Sequence, residues 1–382
     1  MIYFDNGATT PLYPEVVESM KQVLGNYYGN PSSLHHLGVQ ADKLLEQSRE
    51  LAAKFLGVNP GEVIFTSGAT ESNNTAIKGV AFQYGKRGKH IITSAIEHSA
   101  VYDTCIQLRD HFGYELTILP VDKDGMVRIE DLKNAVREDT ILVSIMYINN
   151  EVGSIQPIAE IGKVLRDYPK ILFHVDAVQA FGKIPVEPSK VGVDLLSLSA
   201  HKFHGPKGIG LLYVRKGIKL LPLMAGGGQE GNYRSGTENL AGIVGMVKAM
   251  RITLEKLNHQ SNELSQARKV LWNGLQQLEG CYLNTPEQGS PHILNFSLPG
   301  LKSEVVLHAL EDEGIYVSTK SACSSKSGLP SRVLSAMGLD DERAKSSIRV
   351  SLSYLNTLDE ARQFNETITK LVPQIKKMLN VK

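Results

Sequence analysis

Leu198-Ser199-Ala200-His201-Lys202-Phe203-His204-Gly205-Pro206-Lys207-Gly208-Ile209-Gly210 sets a lysine directly after an apolar run, between hydroxyl and imidazole side chains and a glycine-rich turn. The preceding Val193-Asp194-Leu195-Leu196-Ser197-Leu198 reads as a short buried strand. Lys202 therefore falls where the carboxyl end of an α/β sheet meets its loops, the edge at which ligands bind. A lysine desolvated at such an edge is nucleophilic toward a carbonyl, which suits a Schiff base.

Outward from this stretch, short apolar runs alternate with helical windows from Glu62 to about Tyr213: Val63-Ile64-Phe65, His90-Ile91-Ile92, Leu116-Thr117-Ile118-Leu119, Ile141 to Ile145 and Ile171-Leu172-Phe173. Repeated βα units imply a mainly parallel sheet covered by helices on both faces. A long amphipathic helix is predicted from Glu238 to about Gln277. Beyond it, Ile293 to Ser297, a helix near Ser303 to Leu310, Ile348 to Leu352 and a final helix to Leu379 form a smaller α+β unit. The expected division is a large domain over 14–255 and a small one made of 1–13 and 256–382. With 41 basic and 40 acidic residues the formal charge is +1, which gives no sign of a polyanion binder, so no direct nucleic-acid partner is expected. No stretch approaches membrane-spanning length and no charged-then-apolar leader opens the chain, so the expected address is the cytoplasm.

A second buried strand, Ile171-Leu172-Phe173-His174-Val175-Asp176, ends in a carboxylate about one βα unit before Lys202. A Schiff-base lysine with a carboxylate partner is the pattern of pyridoxal phosphate, whose ring nitrogen wants such an anion. Thr66-Ser67-Gly68-Ala69-Thr70-Glu71-Ser72-Asn73 joins a strand to a helix through a tight glycine turn. Its amides and hydroxyl make an anion cradle, although Thr70 alone could be a capping residue. Arg349 sits mid-strand in Ser346-Ser347-Ile348-Arg349-Val350-Ser351-Leu352, where a charge is out of pattern; a buried partner is expected, either an acidic side chain or a bound carboxylate. Of three cysteines, Cys105 lies in a helical pattern and reads as core filler, and Cys281 has no suggestive neighbours. Cys323 lies in the polar, small-residue stretch Ser318 to Gly328, where a reactive thiol belongs. The pairs His201/His204 and His35/His36 lack a third ligand, and no metal is assigned.

The motifs His174-Val175-Asp176-Ala177-Val178-Gln179, Ser199-Ala200-His201-Lys202, Arg234-Ser235-Gly236-Thr237-Glu238-Asn239 and Ser321-Ala322-Cys323 together resemble a cysteine desulfurase of the NifS/IscS type. The resemblance runs from Tyr3-Phe4-Asp5-Asn6-Gly7-Ala8-Thr9-Thr10 to the Arg349 region, essentially the whole chain. It implies the type I aminotransferase fold of pyridoxal-phosphate enzymes. It also implies cofactor contacts from Ala69, Thr70, His98, Asp176, Gln179, Ser199, His201 and Lys202, with Thr237 reaching the phosphate from a second subunit of a homodimer. His98 would stack on the ring and move thiol protons, and Asn149 and Arg349 would hold the substrate carboxylate. L-cysteine would yield L-alanine and a persulfide on Cys323, for passage to an iron-sulfur scaffold or a tRNA-thiolating enzyme. The stretch after Cys323 looks like the longer loop of this group, not the short cysteine turn of the SufS group, while the Tyr3-Phe4-Asp5-Asn6-Gly7 opening departs from the common pattern. The nearest rival is a class V aminotransferase, against which Cys323 discriminates. A non-catalytic sulfur-transfer or assembly subunit is the rival of another class, opposed by the intact set Lys202, Asp176, His98, Arg349 and Cys323.

Overall fold

The computed structural model describes residues 1–319 and 331–379. Seven strands form the central sheet in the spatial order Val63–Thr66, Gly210–Val214, Leu195–Ser199, Leu172–Asp176, Thr140–Ser144, His90–Ser94, Glu115–Leu119. Gly210–Val214 runs antiparallel to both neighbours, and every other pairing is parallel. The apolar runs explain the arrangement. Six of the seven strands are buried at every position because helices cover both faces, and such strands have no polar face to alternate. Only Glu115–Leu119, at the sheet edge, mixes exposed and buried residues.

A second, three-stranded antiparallel sheet pairs Ile293–Ser297 with both Tyr282–Leu283 and Ser347–Ser351. The chain start joins this end of the molecule, where Ile2–Tyr3 pairs in parallel with Ile315–Tyr316. Four hydrophobic clusters result among the described residues, and the two largest lie one against the large sheet and one against the second sheet. Phe173, Val175, Leu196 and Leu198 belong to the one beside the large sheet, and Phe4, Phe296, Ile348 and Phe364 to the other. The helix Leu240–Gln277 serves both: its buried residues up to Met250 pack in the first core, and those from Leu264 in the second. At 38 residues it is long enough, at about 57 Å, to span them. Asn239 caps it by accepting from the Gly242 amide at 3.1 Å, which leaves Glu238 outside the predicted start. Among the described residues no helix is long and apolar enough to cross a membrane.

Candidate active site

The carboxyl ends of the parallel strands surround a cavity of about 510 Å3, within the roughly 300–1,000 Å3 that small-molecule sites occupy. Asp176 ends its strand and Ser199 ends the next, while the turn Ala200–Lys202 brings His201 and Lys202 to the same wall. Gly68, Ala69 and Thr70 open the helix Ala69–Tyr84, whose first-turn amides have no acceptor within the helix. Gly210 makes their approach possible, because a Cβ there would meet the Gly68 backbone at 2.7 Å.

Each side chain is held by identifiable bonds. The Lys202 Nζ donates to the carbonyls of Gly7 and Ala8, both at 2.7 Å. Asp176 is buried and accepts from Asn73 Nδ2 at 2.8 Å and from the Val178 amide at 3.0 Å. Gln179 Nε2 donates to the Gly7 carbonyl, and its Oε1 faces His292 Nε2 at 3.3 Å. His98 caps the helix Ser99–Phe112: its Nδ1 accepts from the Ala100 amide at 3.1 Å, which leaves Nε2 as the nitrogen to carry a proton. Burial, reinforced by the charges of Lys202 and Lys207, pushes the His201 imidazole down to about 4, so it is neutral at ordinary pH. Arg349, across the cavity from the second sheet, is buried; Nη1 donates to the Asn150 carbonyl at 2.8 Å and Nη2 to Asp5 Oδ1 at 2.9 Å.

This donor set fits a pyridine phosphate. Thr70, Ser199 and His201, beside a helix amino terminus and a cradle that a single methyl at Gly210 would disturb, suit a phosphate group. The Asp176 carboxylate, with one hydrogen bond on each oxygen among the described residues, keeps acceptor capacity for a ring N–H.

The family model "Aminotransferase class-V" matches residues 2–364. Cysteine desulfurase IscS of Dictyoglomus turgidum is 47% identical over 98% of this chain and 95% of its own length. The chain belongs to the class-V aminotransferases, in the NifS/IscS cysteine desulfurase group. A NifS/IcsS protein homolog of Lactobacillus delbrueckii is 50% identical over 95% of both chains. Among solved structures, a NifS-like protein superimposes with a TM-score of 0.92 at 44% identity, covering 97% of this chain and 99% of the other. SspA in complex with cysteine gives 0.81 at 36%, covering 92% and 99%. The type I fold expected from the sequence is the fold observed, and the cofactor of this class-V enzyme is pyridoxal phosphate.

Of the residues singled out in the sequence, Ala69, Thr70, His98, Asp176, Gln179, Ser199, His201, Lys202 and Arg349 all line the one cavity. Asn149 does not. Its fully buried amide donates to the Ile96 carbonyl at 2.9 Å and accepts from the Glu151 and Val152 amides. The next residue, Asn150, is on the wall instead. Thr237 lies outside this cavity, at a pocket of about 80 Å3 that shares Ser67 and Gly208 with it. Cys323 lies outside the described residues. Cys105 is buried as core filler. Gly7, Ala8 and Asn73 were given no role by sequence reading. Asn73 had a detectable signal, since it stands three residues after Thr70 on the same helix face; the Gly7 and Ala8 carbonyls had none.

Proposed function

We propose that this chain takes the sulfur from L-cysteine, releasing L-alanine and leaving a persulfide on Cys323. The observation that carries this reading is the convergence of Lys202, Asp176, His98 and Arg349 on one cavity in a chain of the desulfurase group. Ala69, Thr70, Ser199 and His201 would hold the cofactor phosphate, Asp176 the ring nitrogen and Gln179 the ring hydroxyl, with His98 against the ring face. Bound pyridoxal phosphate supplies an electron sink that acidifies the substrate's α-carbon and loosens its β-carbon–sulfur bond.

This chain's residues do the rest. Arg349 fixes the substrate carboxylate through its guanidinium fork. Lys202, its amine parked on two carbonyls, moves the α-proton. His98 would take the thiol proton at Nδ1, the nitrogen whose lone pair the Ala100 amide holds at rest, because Nε2 already bears the proton of the neutral ring. The Cys323 thiolate attacks the substrate sulfur, the electron pair of the carbon–sulfur bond stays on the β-carbon, and a proton there completes alanine. Thr237 would complete the phosphate site of a second copy, which makes the functional unit a homodimer. The large unit over 14–255 would carry the cofactor and the small unit of 1–13 and 256–382 the cysteine. An iron-sulfur scaffold or a tRNA-thiolating enzyme in the cytoplasm would receive the sulfur.

The test is alanine release from L-cysteine by cofactor-loaded protein with a thiol reductant, wild type against Cys323→Ala. Alanine from wild type and almost none from the variant is expected. Equal release would remove Cys323 from the reaction, and none from either would favour transamination, checked with a keto acid as acceptor.

A further inference from the structure

The loop that presents His98 is held by side chains that never reach the cavity. Three consecutive carbonyls, of Ala95, Ile96 and Glu97, each accept from a side chain: Arg332, Asn149 and Arg332 again. A loop satisfied by turns or water leaves its carbonyls free to move, whereas this one has each buried acceptor assigned. Beyond His98 the same arginine lies over the Tyr102 ring, 3.7 Å from its centroid. Tyr102 is one turn further along, its amide bonded to the His98 carbonyl. Arg332 therefore grips the backbone before His98 and the side chain one turn after it. Arg332 is itself fixed, because its neighbour Ser331 donates to the buried Glu151 carboxylate and caps the helix Arg332–Ala336.

We propose that Arg332 is a positioning residue for the reaction: it fixes the imidazole of His98 by clamping the loop at Ala95 and Glu97 and the ring of Tyr102. The proposal rests on the assignment of His98 made above. Among the described residues Arg332 is not on the cavity wall, and it is not itself a catalytic residue. Because an error of about 1 Å in a reacting group can lower a rate on the order of 100-fold, a loosened loop is felt in turnover.

The decisive variant is Arg332→Met, which keeps the apolar stem over Tyr102 and removes every donor. Three readings are taken on the cofactor-loaded protein: steady-state alanine release, visible circular dichroism of the bound cofactor, and hydrogen exchange at the amides of residues 95–102. Expected are a fall in kcat on the order of 10- to 100-fold, a KM for L-cysteine within about twofold of wild type, an altered cofactor band and faster exchange in that segment. Arg332→Lys, retaining the charge and one donor nitrogen, recovers part of each. Unchanged exchange overturns the proposal, and so does faster exchange with kcat and the cofactor band unaltered. If Arg332→Met does not fold, Arg332→Lys decides by the same readings. Should wild type itself release no alanine, the desulfurase reading fails, while exchange and the cofactor band, which need no turnover, still decide the role of Arg332.

Discussion

Replacing Arg349 with lysine tests the substrate end of the site. The guanidinium is buried on the strand Ser347–Ser351, with Nη1 on the Asn150 carbonyl, Nη2 on Asp5 and Nε without a partner among the described residues. A buried donor without an acceptor is costly, and a bound carboxylate is a group that would satisfy it. Lysine keeps the charge but presents a point, not a fork. The loss is one charge-assisted hydrogen bond of about 1.5–3 kcal/mol, which converts to roughly 10- to 150-fold in kcat/KM for L-cysteine. The carboxylate does not react, so ground and transition states lose the contact alike and the change belongs in KM. Alanine release over a range of cysteine concentrations measures it, with the cofactor absorbance and the melting temperature as checks that the variant is loaded and folded. Asp5→Asn should act in the opposite direction, lowering KM, because the competing carboxylate on the fork is removed. If Arg349→Lys holds KM within about twofold with its cofactor band intact, the substrate carboxylate binds elsewhere and Arg349 serves only Asp5 and Asn150.

Gly210→Ala should weaken pyridoxal phosphate binding, since the new methyl meets the Gly68 Cα and carbonyl carbon at 2.7 Å and the Leu198 oxygen at 2.8 Å, all backbone. A cost of about 1–3 kcal/mol is expected, read as a higher dissociation constant in a cofactor titration; unchanged affinity would separate the cradle from phosphate binding. His174 lies between strands, with Nδ1 and Nε2 on the Ser144 and Ser197 hydroxyls, and burial pushes it down to about 3. Its unfolded value is near 6.5, so the unfolded chain binds the extra proton first, and stability contributed by neutral His174 is present above that pH and lost as pH falls from about 6.5 toward 3. Urea unfolding across that window should show a flatter slope for His174→Asn than for wild type, and identical slopes would place the acid sensitivity elsewhere.

The strands and the residues ending them were legible because burial on both faces writes a strand as an unbroken apolar run, and a polar residue closing such a run marks the binding edge. Asp176, Ser199 and Lys202 were found in this way. Asn149 and Asn150 show where that reading stops: neighbours in a turn face different ways, and the bonds that hold Asn149, one of them to Ile96 across 53 residues, are not visible in the residue types. Arg332 is a stronger case. Its partners are carbonyls and a ring more than two hundred residues away, and backbone acceptors carry no residue-type signal. The carbonyls of Gly7 and Ala8 were invisible for the same reason.

Those two carbonyls also show why the first residues of the chain cannot be treated as a tail. The Gly7 carbonyl accepts from both Lys202 and Gln179, and the Gly7 amide donates to Ser351 Oγ at 2.7 Å, two residues from Arg349. A Cβ at Gly7 would lie 3.0 Å from that hydroxyl and 3.3 Å from the Arg349 guanidinium carbon. One small residue thus stands between the lysine end of the site, on the large sheet, and the arginine end, on the second sheet. With its carbonyl bonded to Lys202 and its amide to Ser351, Gly7 links the two ends next to the pairing of Asp5 with Ser351. The separation of the two ends is therefore held from two sides: by the second core, where Phe4 is fully buried, and by the bond from Arg349 to the Asn150 carbonyl.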